Sequence, residues 1–99
     1  MNSLIERLTG MHTLTDQVVA TDLLIAAKSG VRNYAMAATE VATPEIKAIL
    51  AKQLDEAIDL HERIADYMIQ KGWYHPWDVK EQLRLDLQNA RTALNAPTL

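Results

Sequence analysis

The 99-residue chain contains no cysteine. That excludes a disulfide framework and any thiolate metal or redox site. Glycine and proline are scarce, three of each, so there is little material for turns and the elements should be few and long. No run of about 18 or more apolar residues occurs, so no segment is expected to span a membrane. Basic charge is not in excess: 10 Lys and Arg face 13 Asp and Glu, for a net charge of -3. Phosphate binding needs a basic patch, so nucleic acid is not an expected partner. There is no Gly-rich phosphate loop, no G-x-S-x-G elbow and no H-E-x-x-H, so none of the common catalytic motifs is present. Asp55 and Glu56 are neighbours in sequence but point about 100° apart on a helix, so they do not form an acid/base pair. The opening "MNSLIERLTGMH" carries Glu6 and Arg7 within its apolar stretch, which a signal peptide does not tolerate.

What is present is a composition of 48% hydrophobic and 23% charged residues, that of one ordinary globular domain. Its patterning is helical. Leu4, Ile5, Leu8 and Met11 recur on one face and predict a short amphipathic helix over residues 2–9, ended by Gly10. A first long helix is expected from about Leu14 to Val41, capped by Thr13 or Thr15 and interrupted only by Gly30, which costs roughly 1 kcal/mol against alanine. Its apolar residues cover more than one face, so burial on two sides is expected. In "ATPEIK", Thr43 caps, Pro44 takes the first helical position and Glu45 lies in the first turn. The second long helix then runs to about Lys71, with Gly72 as its left-handed stop. Only Ala42 and Thr43 separate these helices, so they must form an antiparallel hairpin. Asp78 and Glu81 suggest a capping box for a third helix reaching Leu94, with Val79, Leu83, Leu87, Ala90 and Leu94 on one face. The chain therefore divides into an arm over residues 1–12, a helical domain over 13–95 and a tail over 96–99.

A polar line runs along the first long helix. Asp22, Ala26, Ser29, Asn33, Met36 and Glu40 are spaced 4, 3, 4, 3, 4, a seam of a packed helix. Leu50, Leu54, Ala57, His61, Ile64 and Met68 repeat that spacing on the second. Folding the hairpin about Thr43 sets Asp22 less than a turn from His61, so an Asp22–His61 contact in the core is expected. It has two readings. One is a structural polar seam of Asp22, Ser29, Asn33, Glu40 and His61 that fixes helix register. The other is a carboxylate–histidine metal site with Asp22 and His61 as its candidate ligands. Di-metal bundles use Glu-x-x-His. The residues three before His12, His61 and His75 are Thr9, Ile58 and Gly72. The ligand supply is poor, so no metal and no other cofactor is expected.

Trp73, Tyr74 and Trp77 fall within five positions in "GWYHPWD". They read as a plug closing the end of the bundle, or as a partner surface, since Trp and Tyr are favoured at binding hot spots. Lys47, Lys52, Glu56, Glu62 and Arg63 read as a solvated face.

The stretches "ATEVATPEIKAIL" and "LDEAIDLHERIADYMIQKGWY", with the helix before them, resemble the spore coat protein F family over about Leu14 to Tyr74. Thr43, Pro44, His61, Gly72, Trp73 and Tyr74 carry the pattern and read as structural. The resemblance implies an all-α, ferritin-like helical bundle: a short N-terminal helix plus three longer ones, built on the long hairpin. It also implies a non-enzymatic structural or interaction protein of the bacterial endospore coat, synthesised in the cytoplasm. A metal-binding or oxidative ferritin-like protein using Asp22 and His61, or a helical adaptor outside spores, are the alternatives. Without cysteine, and with three tyrosines, there is little material for covalent cross-linking. The short N-terminal segment is too short to flank the hairpin, so a homodimer, or pairing with a paralogous coat protein, is expected through the first and third long helices.

Overall fold

The computed structural model describes Leu4 and residues 10–96. Three helices follow in order: α1 (Met11–Glu40), α2 (Pro44–Gln70) and α3 (Val79–Leu94). No strand occurs among the described residues. The short helix expected over residues 2–9 lies, Leu4 apart, outside them, as do tail residues 97–99. The four-helix, ferritin-like bundle is corrected to these three helices. A closed four-helix core needs four long helices. Here two long ones, of 30 and 27 residues, are followed by one of only 16.

The helix boundaries follow local chemistry. Gly10, at φ 77°, takes a left-handed turn that most residues avoid, and its carbonyl accepts from Leu14 N at 3.2 Å. So α1 starts at Met11, ahead of the expected threonine caps. Thr13 lies inside the helix, its hydroxyl 3.4 Å from His12 Nε2. Three residues, Val41–Thr43, link α1 to α2. The Thr43 carbonyl accepts from Lys47 N at 2.9 Å, as an N-cap carbonyl should. Its side chain, however, makes no hydrogen bond among the described residues. At the other end Gly72, φ 75°, turns the chain. Its N–H reaches the Ile69 carbonyl, and Trp73 N reaches that of Met68, which satisfies the last carbonyls of α2.

Two compact units divide the chain, and the division cuts both long helices. The hairpin unit, Thr21–Tyr67, holds most of α1 and α2. In it α1 protects Leu24, Ala27, Val31, Tyr34 and Ala38, spaced 3, 4, 3, 4, and also Gly30, Ala35 and Ala37 beside them; Val41 of the link is half-buried as well. The protected side of α2 is Leu50, Leu54, Ala57, His61 and Ile64. These are two matched seams, with Ala27 and Ile64 buried. Burial of α1 on two sides is not found. Leu23, Ile25 and Met36 are each more than half exposed, because one neighbouring helix covers one stripe.

The second unit, Met1–Ala20 with Met68–Leu99, contains the start of α1, the end of α2, the connecting loop and α3. Among the described residues, Met68 and Leu85 are its buried apolar side chains. Gln17 is buried too. Its amide meets that of Asn89 reciprocally: Asn89 Nδ2 donates to Gln17 Oε1 at 2.9 Å, and Gln17 Nε2 donates to Asn89 Oδ1 at 3.4 Å. The α3 N-cap is Asp78, whose carboxylate accepts from Glu81 N at 3.0 Å. Only half of the expected capping box is made. Glu81 instead binds Arg84 one turn on, and that guanidinium holds the Glu81 carboxyl below its usual range.

The amide pair should behave as a coupled unit, since losing one partner leaves a poorly hydrated amide unsatisfied. Gln17→Leu alone is expected to lower stability in urea titration by about 1–3 kcal/mol. Adding Asn89→Leu should recover most of that loss. Additive losses in the double variant would show that the pair is uncoupled.

Candidate interaction site

The polar line of α1 is real as an alignment, but it does not face α2. At 100° per residue it lies roughly opposite the protected stripe. Asp22, Ser29, Asn33 and Glu40 are all exposed in the single chain. His61 is half-buried, as its place in the α2 seam requires. Among the described residues no hydrogen bond or ion pair joins it to Asp22, so the expected core contact is corrected. The small and apolar residues Leu24, Ala27, Val31 and Ala38 take the inner face and turn the polar line outward. His61 instead borders a shallow cleft of about 160 Å³ with Lys28, Val31 and Ile58. Among the described residues no three His, Cys, Asp or Glu side chains come together to hold a metal ion.

On the other side of the hairpin, two clefts of about 430 and 250 Å³ share Gly30 and Tyr34. Together they form one groove. Leu23, Ala26, Asn33 and Ala37 contribute from α1, and Leu50, Ala57 and Leu60 from α2. A Cβ added to Gly30 would meet nothing within 4 Å. No neighbour among the described residues therefore requires glycine there, although glycine costs a helix interior about 1 kcal/mol.

In the second unit α3 is turned against its own hydrophobicity. The protected residues are Gln82, Leu85, Asn89 and Thr92. The apolar stripe is exposed: Val79 71%, Leu83 61%, Leu87 53% and Leu94 85%, with Ala90 among them. Gln82 fastens the preceding loop. Its Oε1 accepts from His75 N at 2.6 Å, and its Nε2 donates to the Trp73 carbonyl at 3.4 Å and to Asp86 Oδ1 at 3.0 Å. His75 Nε2 lies 2.8 Å from the Gly72 carbonyl. Gln17, Gln82 and Asn89 were not among the residues singled out from sequence. The 3, 4, 3 spacing of Gln82, Leu85, Asn89 and Thr92 is the signal that marks the inner face. Of the loop rings, Trp73 and Tyr74 are half-buried. Trp77 is 83% exposed, so it closes nothing in the single chain and extends the apolar surface of α3.

These features describe surfaces for packing, and comparison with known proteins gives them a setting. The profile of the Coat F domain matches residues 15–78. The chain belongs to the Coat F family. It is 61% identical over 99 residues, the whole of both chains, to the spore coat protein F-like protein YraD of Bacillus subtilis (strain 168). It is 38% identical over 52 residues to the spore coat protein F-like protein YgzC of the same organism, covering 52% of this chain and 58% of that one. No solved structure matches. The Coat F match spans both helix-boundary signals, Thr43–Pro44 and Gly72–Trp73–Tyr74, and His61 between them.

With no hydrogen-bond partner among the described residues and apolar neighbours in Val31 and Ile58, His61 should be replaceable. His61→Leu is expected to leave unfolding free energy unchanged or raised by up to about 1 kcal/mol, since it adds apolar burial without stranding a partner. Guanidinium titration measures this. A loss of more than about 2 kcal/mol would restore the register role of the histidine.

Proposed function

We propose that this protein is a structural, non-catalytic component of the bacterial endospore coat. It works by packing its exposed helix faces against other coat polypeptides, either copies of itself or paralogues. The observation that carries this reading is membership of the Coat F family, with a full-length spore-coat relative. Family membership implies the spore coat as its location. Among the described residues no helix is long and apolar enough to cross a membrane.

The physical support is the distribution of apolar surface. Among the described residues, four hydrophobic side chains are buried, whereas sixteen large ones are exposed. Exposed apolar stripes, such as that of α3, mark contact sites. Trp77, Val79, Leu83 and Leu87 offer the aromatic and aliphatic anchors that contacts use. Association through such faces needs no covalent bond, and the chain has no thiol to supply a disulfide.

Fractionation of purified spores tests the assignment. An antibody to the chain should detect it in the detergent-extracted coat fraction, with the same yield whether or not a reductant is present. Detection only in the spore core or in vegetative cells would contradict the coat assignment and favour a helical adaptor outside the coat.

A further inference from the structure

We propose that the apolar groove of the hairpin unit is the docking site for the α3 stripe of a second copy of this chain. The inference rests on the reading of the protein as an assembling coat component and specifies which surfaces meet.

Three observations select that occupant. The first is length. From Leu23 to Ala37 the α1 wall of the groove runs about 21 Å, and from Val79 to Leu94 the stripe runs about 22 Å, at 1.5 Å per residue. The second is shape. The wall is built of Ala26, Gly30 and Ala37, with open space where a Gly30 side chain would stand. Small residues leave holes, and Leu83 and Leu87 are the knobs that fill such holes. The helix-weakening glycine thus acquires a reason that the single chain does not provide.

The third is charge. Asn33 lines the groove itself, and Asp22 and Glu40 lie on α1 just beyond Ala26 and Ala37, on the side away from α2. These two carboxylates make the α1 rim of the groove acidic. One edge of the α3 stripe carries Lys80 and Arg91, both exposed, with Arg84 between them already bound to Glu81. A basic-edged stripe and an acid-rimmed groove are complementary, which steers register and orientation.

Donor and acceptor are different surfaces. The contact is therefore heterologous, and each chain offers one of each. Two variants separate them. Gly30→Arg fills the groove and sets a cation against the basic edge; Ala26→Arg serves as its replacement if it fails to fold. The double variant Leu83→Asp, Leu87→Asp spoils the stripe and sets anions against the acidic rim. All of these positions are open in the single chain, and helical circular dichroism confirms folding.

Sedimentation velocity gives the readout. Wild-type protein should sediment as an oligomer, while each variant alone should be monomeric, with association weakened at least tenfold. Mixed together, the groove-blocked and stripe-spoiled chains should form a one-to-one complex, because one intact stripe and one intact groove remain. Wild-type protein that stays monomeric at about 100 μM overturns the proposal. So does association of Gly30→Arg alone, which would mean that stripes pair with stripes, and so does a mixture that stays monomeric. None of these results bears on whether the protein resides in the coat, which spore fractionation decides separately.

Discussion

The three-residue link between α1 and α2 is the constraint on which the hairpin unit depends. Val41–Thr43 is too short for anything but a sharp reversal, and Pro44 starts the next helix at once. Two helices held side by side can cover one stripe of each other and no more. On α1 that stripe is filled by residues small enough for close packing, Ala27 and Ala38 among them. On α2 it is filled by Leu50, Leu54, Ala57 and Ile64. Most of the large apolar residues off these stripes then face outward by geometry. The exposure of Leu23, Ile25, Met36 and Leu60 follows from this arrangement.

A different economy rules the unit that contains α3. Its inner face holds Gln82 and Asn89, and its outer face holds Val79, Leu83, Leu87 and Leu94. Fully burying one such aliphatic side chain is worth about 1.5–3 kcal/mol, so a stripe of four left in water forgoes several kcal/mol. The inner amides are matched to specific partners, Gln17 and the loop carbonyl of Trp73. Satisfied polar contacts of this kind favour one arrangement over others while adding little net stability. Hydrogen bonds orient α3 while its hydrophobic stripe stays exposed. Under the coat role proposed above, that division has a use: the fold fixes which face is presented, and a partner would supply the burial.

The punctuation of the fold is legible in the sequence because it rests on single residues with strong local chemistry. Pro44, Gly72 and Asp78 each mark a boundary that the structure places within a residue or two. The α2 seam is legible as well, since Leu50, Leu54, Ala57, His61 and Ile64 stand out against charged neighbours. On α1 the pattern is ambiguous. Valine, leucine, isoleucine and alanine occur on every side, so two registers of the 3, 4 repeat fit equally well. The register holding Asp22, Asn33 and Glu40 attracts attention because aligned polar residues resemble a site. Packing selects the other register because Leu24, Ala27 and Val31 bury without leaving a carboxylate unpaired. On α3 hydrophobicity points to the wrong face for a single chain, and the inner face becomes clear only through the partners of Gln82 and Asn89. The N-terminal cap is missed for a simpler reason: the left-handed Gly10 starts α1 before either threonine.

If burial completed by a partner is what the exposed faces are for, stability must depend on how many chains are present, because association favours the folded state by mass action. The most direct measurement is the thermal unfolding midpoint, followed by circular dichroism over a hundredfold range of protein concentration. The midpoint should rise steadily with concentration. A midpoint that stays constant across that range would mean that one chain folds complete in itself, and would contradict the account.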